Sequence, residues 1–302
     1  MTTTATTLVA PGSLRAWLIA TRPATLTAGA VPVMVGVAIA CRMGHANLLA
    51  ASAAFLGAMG IQIGTNLAND VFDFEKGADT ELRKGPIRVT QAGLLAARQV
   101  RAGMLLSFLF ATVAGSYLVA VGGWPIVAIG IASVASGVAY TGGPWPLGYH
   151  GLGDVFVFVF FGLVAVCGTV YVVGGSVPAI AWWCAVSVGG LATAVLVVNN
   201  VRDIETDVVA GKRTLAVRFG RRCGVCEYAA LLVLAYAVPI VLCATHRLAL
   251  WSLLPCVTLP WGVGLVRTLA TQTSAERLNL CLVSTARLLL VFGALLTMSL
   301  VL

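Results

Sequence analysis

The chain is short of charge, and shortest of acid. Its 302 residues hold 11 Asp and Glu, and charged residues of both signs make up 10%. A soluble globular chain carries about 25%, so a surface that faces water on all sides is excluded. Histidine is scarce too: His45, His150 and His246 stand alone. There is no imidazole cluster for a metal centre, no Gly-x-Ser-x-Gly elbow and no Walker A loop. Most of the eight cysteines lie in apolar runs, where the thiol behaves as a small hydrophobe. Cys223 and Cys226 have the Cys-x-x-Cys spacing, but no second pair and no nearby His accompany them, which argues against zinc. A reducing cytoplasmic setting argues against a redox role. No long linker or low-complexity tract is present beyond a Thr-rich start.

What is abundant is apolar sequence, at 59% with a mean hydropathy of +0.97. It is arranged in nine runs, approximately 15–41, 47–69, 100–121, 124–141, 152–174, 178–200, 224–244, 248–268 and 279–302. Runs of about 20 residues cross a hydrocarbon core of roughly 30 Å as helices. The expectation is an all-α integral membrane protein with nine transmembrane helices, the fourth short. Residues 1–14 lack a basic stretch before a short apolar core, so no cleavable signal peptide is expected. They read as a flexible tail on a single membrane-embedded domain spanning 1–302. The first run, with Pro23 and Pro32, reads as a retained helix.

The net charge of +8 is a topological signal rather than a nucleic-acid footprint. With the N-terminus in the cytoplasm, 16 of the 19 Lys and Arg residues fall on the cytoplasmic side. Arg42 and Arg247 fall outside, and Arg287 lies within the last run. This is the positive-inside pattern. It puts the longest polar loops, 70–99 and 201–223, on the cytoplasmic face and the C-terminus outside.

Eight of the eleven acids lie at those two loops: Asp70, Asp73, Glu75, Asp79 and Glu81, then Asp203, Glu205 and Asp207. Carboxylates this close resist ionising together unless a cation sits among them. In the first motif Asn66, Asn69, Asp70 and Asp73 fall at i, i+3, i+4 and i+7, one face of a helix. Gly77 permits a turn that brings Asp79 back toward that face. In the second, Asn199, Asp203 and Asp207 fall at i, i+4 and i+8. Asn69 with Asp73, and Asn199 with Asp203, repeat at an offset of 130 residues that Arg88 and Arg218 share. The pattern implies two related four-helix halves plus a final helix, with a site between them. Carboxylate and amide oxygens suit a hard cation such as Mg²⁺. Candidate ligands are Asn69, Asp70, Asp73, Asp79, Asn199, Asp203 and Asp207. Glu75, Glu81 and Glu205 read as loop charge, and Arg202 points away from the acidic face.

Bases follow each cluster. Arg83, Lys84 and Arg88 come after the first, with Lys76 inside it, and Lys212, Arg213 and Arg218 come after the second. Acids followed by bases fit a metal-bound anion such as a diphosphate, with Lys and Arg, Lys212 among them, stabilising the departing charge. Arg98, Arg101, Arg221 and Arg222 are explained by anchoring alone.

These residues resemble the UbiA-type intramembrane aromatic prenyltransferases over nearly the whole chain. The resemblance rests on the two Asn/Asp motifs and on several stretches. These are Arg22-Pro23-Ala-Thr25-Leu26, Gly85-Pro86-Ile-Arg88, Tyr140-Thr-Gly-Gly-Pro144, Gly148-Tyr149, Gly151-Leu-Gly153-Asp154, Gly211-Lys-Arg-Thr-Leu215, Leu278-Asn279 and Thr285-Ala286. The six-residue step from Asp73 to Asp79 is similar to the branch that prenylates 1,4-dihydroxy-2-naphthoate. The resemblance implies nine helices around a central cavity, two Mg²⁺ ions holding a polyprenyl diphosphate, an aromatic acceptor, and the inner membrane of a bacterium. It implies ionisation of the allylic diphosphate and attack by the acceptor ring, with loss of CO₂ in the naphthoate case. It brings in Tyr140, Tyr149 and Phe72 as ring faces for an allylic cation. It brings in Arg22 for the acceptor carboxylate or the diphosphate, and Asp154 for orienting a loop or assisting deprotonation. No nucleic acid and no protein partner is expected. The same-fold alternatives use 4-hydroxybenzoate or homogentisate. An ion-coupled transporter is the alternative from another class, but its carboxylates would sit near the midplane rather than at helix ends.

Overall fold

The computed structural model describes residues 9–78 and 83–302. Helix α1 (Leu14–Thr21) is capped by Ser13, whose hydroxyl accepts from the Ala16 amide. It ends at Arg22, which has a left-handed φ of 51°. Pro23 is the cause: a proline disfavours helical backbone at the residue before it, yet suits the first position of a new helix. Helix α2 (Pro23–Arg42) starts there. The single helix expected over 15–41 is thus two.

Helix α3 (Leu48–Glu75) is capped by the Asn47 side chain, which accepts from the Ala50 amide. Its 28 residues extend about 42 Å, beyond the roughly 30 Å of a hydrocarbon core. The first acidic motif rides on its final turns, past the run expected to end at 69. Helices α4 (Ala97–Gly122) and α5 (Trp124–Ala139) meet at Gly123, φ 69°. Helix α6 (Gly153–Gly174) widens into a π-type turn over Phe158–Val164. There a Cβ on Gly162 would lie 2.8 Å from the Gly189 Cα, so the backbones of α6 and α7 (Ala179–Arg202) touch. Helix α8 (Ile204–Val209) is short, and α9 (Leu215–Ala244) is broken at Gly220. A 3₁₀ segment (Leu250–Thr258) leads into α10 (Leu259–Thr271), and α11 (Ala275–Val301) ends the chain.

Among the described residues, eight segments are long and apolar enough to cross a membrane. The fourth expected run is helical as α5, but its 16 residues reach only about 24 Å. The chain is a multi-pass membrane protein. Each half has the same order, a helix, a long helix ending in an acidic motif, a polar loop and two further helical segments. Helix α3 packs on α4, α7 packs on α9, and α11 packs against α2 and α7 to join the last element to the first half. The α7 span is 72% buried against 17% for α4, so α7 is the inner helix and its end is the sheltered place for charge.

Candidate active site

Both acidic motifs arrive at one end of the helices, and Lys212 shows how close they come. Its ammonium lies 3.7 Å from Asp73 and 3.8 Å from Asp207. Asp73 is 1% exposed. Its Oδ2 accepts from Arg88 Nη2 at 2.8 Å and its Oδ1 from the Tyr149 hydroxyl at 3.0 Å. Two ammonium groups lie over the Tyr149 ring, Lys76 at 5.2 Å and Lys212 at 5.0 Å from its centroid. Tyr149 therefore presents its ring to cations and its hydroxyl to a carboxylate. Lys76 also donates to the carbonyls of Thr141 and Gly143.

Asn199, Asp203, Thr206, Asp207, Lys212, Arg83 and Arg88 line a small cavity of about 40 Å³, with Ala78 at its edge. Asn199, Asp203 and Asp207 do not share one helix face as expected. The α7 helix ends at Asp203, whose φ of −96° and ψ of 10° turn the chain, and Asp207 comes from α8. The Asp207 amide donates to the Asp203 carbonyl at 2.7 Å in the first turn of α8, and all three side chains line the one cavity. Burial pushes the Asp207 carboxyl up to about 6, against the opposing pull of Lys212.

Asp70 has different partners from Asp73. Its two oxygens accept from the Val89 and Thr90 amides at 3.1 and 3.0 Å, and the side chain faces the 86–95 loop. That loop is not a free polar strap: Val89, Leu94 and Leu95 are buried in a core with Ala16 and Ala20 of α1. Asn66 likewise faces the α1–α2 break, donating to the Thr21 carbonyl at 2.8 Å and the Thr25 hydroxyl at 3.0 Å. Asn69 accepts from Thr141 at 2.9 Å.

The bases divide. Arg88 and Lys212 reach the acids, and Arg83 lines the cavity while donating to the Pro86 carbonyl. Lys84 instead pairs with Glu205, which gives that loop acid a partner. Glu75 pairs with Arg101. Arg213 is exposed; its backbone amide donates to the Tyr149 carbonyl at 2.8 Å and fixes the turn carrying that ring. Arg218 donates to the His150 carbonyl. The 130-residue offset thus places Arg88 and Arg218 but does not give them one role.

Tyr140 packs over Gly148 and Gly153, where a Cβ would lie 3.0 Å from its ring and 2.7 Å from its hydroxyl. Burial, then Asp154, Asp207 and Asp73, raise its pKa. Phe72 packs against Gly142. Asp154 is buried and accepts from Asn200 at 3.2 Å. Arg22 occupies the α1–α2 break, where its carbonyl accepts from both the amide and the hydroxyl of Thr25. Asp79 lies outside the described residues, although Gly77 does make the expected turn, φ 68°.

Two residues belong to the site that the sequence reading gave no role there. Arg202 is fully buried and grips Asp203 with Nε at 2.8 Å and Nη2 at 2.6 Å. It also donates to Asn199 at 2.6 Å and Asn279 at 2.8 Å. The available signal was its position: an arginine adjoining an acid at the end of the most buried apolar span. Asn279 stood only within the Leu278-Asn279 stretch that carries the family resemblance, with no role attached.

Among the described residues no three carboxylates, imidazoles or thiols form a ready-made metal cage. The donors nonetheless fit a hard cation held with an anion. Asn199, Thr206, Asp203 and Asp207, which carry amide, hydroxyl and carboxylate oxygens, line one cavity with Arg83, Arg88 and Lys212.

The model of the UbiA prenyltransferase family matches residues 29–300. The chain is 37% identical over 250 residues to a 1,4-dihydroxy-2-naphthoate octaprenyltransferase of Haemophilus influenzae, covering 78% of this chain and 81% of that one. It is 30% identical over 280 residues to the Bacillus subtilis protein of the same name, covering 93% and 90%. Its fold is similar to a UbiA homolog from Archaeoglobus fulgidus bound to GPP and Mg²⁺, with a TM-score of 0.69 at 16% identity, covering 95% and 99%.

Proposed function

The chain belongs to the UbiA prenyltransferase family, and from that premise we propose that it transfers a polyprenyl group to 1,4-dihydroxy-2-naphthoate. The donor is a polyprenyl diphosphate, the co-products are CO₂ and diphosphate, and the product is the quinol form of demethylmenaquinone, since no oxidant takes part. The naphthoate assignment is supported by the names of the relatives. The observation that carries the chemistry is the Lys212 ammonium within 4 Å of acids from both halves. A site built this way takes a polyanion together with cations.

Asp73, Asn199, Asp203 and Asp207, with Asn69 beside them, would hold Mg²⁺, in a pair of ions if each half contributes one. When bound, the metal neutralises diphosphate charge and favours loss of that group. Arg83, Arg88 and Lys212 line the same cavity and receive the negative charge that develops on the leaving oxygens. The Tyr149 ring, already bearing two ammonium groups, is placed to face positive charge. Arg22, at the break between α1 and α2, is the residue assigned to the acceptor carboxylate. The acceptor ring forms its new C–C bond at the carbon that loses its carboxyl group.

The whole chain acts as one membrane domain in the bacterial inner membrane, with the site on the cytoplasmic face and the C-terminus outside. The lipid bilayer holds the prenyl chain, and no protein partner is required. The test is direct. Purified protein in detergent is incubated with 1,4-dihydroxy-2-naphthoate, a polyprenyl diphosphate and Mg²⁺, and prenylated product and CO₂ are measured. Turnover of 4-hydroxybenzoate or homogentisate with none of the naphthoate would refute the acceptor assignment.

A further inference from the structure

Four donors of one buried guanidinium are aimed at three side chains around the site. Arg202 holds Asp203 through two nitrogens, Asn199 through one of them, and Asn279 through the third. Asn279, on α11, spends its other end elsewhere: its Nδ2 donates to the Lys84 carbonyl at 3.0 Å. The chain there also presses on the guanidinium. A Cβ on Gly85 would lie 2.7 Å from Arg202 Nη2. Three residues further on, Arg88 reaches back to Asp73.

The 83–90 segment therefore bridges the halves. One end is fastened to Arg202 and Asn279, the other to Asp73. We propose that Arg202 and Asn279 are positioning residues that set the second-half donors Asn199 and Asp203 and couple them to the segment carrying Arg83 and Arg88. The consequence is that metal and diphosphate binding reinforce one another through Asn279. The inference rests on the metal–diphosphate reading above.

The physical argument is one of accounting for donors and space. A guanidinium with no access to water is costly to bury unless its N–H groups are matched, and here the matching groups are the oxygen donors of the site. It cannot tilt without releasing one of them. Asn279 has one acceptor and one donor end, so it transmits the position of Arg202 to the Lys84 carbonyl only in its present orientation. An Asp at 279 would still accept from Arg202 but would face the Lys84 carbonyl with a second acceptor.

Three variants separate the parts: Asn279→Asp, Gly85→Ala and Arg202→Lys. The readout is Mn²⁺ binding to the detergent-purified full chain by electron paramagnetic resonance, with and without inorganic pyrophosphate. Thermal melting is measured alongside. Partners that orient a metal ligand are worth roughly 10–100-fold in affinity. Asn279→Asp is expected to bind Mn²⁺ alone like the wild type and to lose roughly tenfold of the tightening that pyrophosphate adds. Gly85→Ala and Arg202→Lys are expected to weaken Mn²⁺ in both conditions. If Arg202→Lys does not fold, the other two decide. Wild-type tightening in Asn279→Asp and Gly85→Ala overturns the relay, as does an equal loss with and without pyrophosphate in Asn279→Asp. A wild-type protein that binds no Mn²⁺ in either condition overturns the metal reading on which the relay rests.

Discussion

Replacing Asp70 by Asn tests whether this acid is a metal ligand or a tether. Its carboxylate is buried and both oxygens are taken by backbone amides, those of Val89 and Thr90. A hydrogen bond to a charged group contributes about 1.5–3 kcal/mol, and a neutral one about 0.5–1.5. Asn keeps one acceptor, now neutral, and turns an N–H₂ toward the second amide. That amide is then buried without a partner, at a cost of about 1–3 kcal/mol. The expected loss is about 2–4 kcal/mol, confined to the 86–95 loop. Hydrogen exchange followed by mass spectrometry should then show the Val89 and Thr90 amides opening about 30- to 1000-fold more readily, at 1.4 kcal/mol per tenfold. Mn²⁺ affinity should stay near that of the wild type. Unchanged protection in this loop, together with lost Mn²⁺ binding, would refute the tether and restore Asp70 to the ligands.

Asp73→Asn and Asp203→Asn should each abolish prenyl transfer while the protein still folds; near-wild-type turnover in either removes it from the metal site. Lys212→Met should have effects of opposite sign, since its ammonium competes with a metal near Asp73 and Asp207 but assists a diphosphate. Mn²⁺ alone should bind more tightly and pyrophosphate less tightly, and a change of one sign in both titrations contradicts this. Because burial holds the Asp207 carboxyl at about 6, it becomes neutral as the pH falls through that value, and Mn²⁺ affinity should decline there. A flat affinity between pH 7.5 and 5 argues against Asp207 as a ligand. Tyr149→Phe removes the hydrogen bond to the Asp73 carboxylate, at about 1.5–3 kcal/mol, but keeps the ring beside the two lysines. Turnover should fall less in Tyr149→Phe than in Tyr149→Leu, and equal losses would show that the ring contributes nothing.

The span pattern was legible because apolar runs of fixed length have one common solution in a bilayer, a helix with its backbone bonds satisfied internally. What the runs could not reveal was the break at Arg22. Hydropathy averages over the residues on both sides, whereas the break depends on a single steric clash with Pro23. The length of α3 was underestimated for a related reason. Helical backbone continues past the apolar stretch to Glu75, beyond what the membrane requires.

At the site, residue type and spacing identified which acids gather, since few charges exist in this chain and each must be explained. Spacing could not say which atoms face one another. Asp70 and Asp73 lie on one helical face, yet one is taken by loop amides and the other by Arg88, because the 86–95 loop folds down along that face. Arg202 looked misdirected on an ideal helix, but the helix stops at Asp203 and the long side chain curls back along its end. The internal repeat carries the same lesson. Asn69 and Asn199 hold equivalent places, but one accepts from Thr141 and the other from Arg202. Duplication preserved where the donors stand, while the second half alone acquired a buried guanidinium tied to the last helix. That helix has no counterpart in the first half, and it is tied to the Asp203 side through the bond from Arg202 to Asn279, so the variants at Asn279 probe a feature that the repeat does not supply.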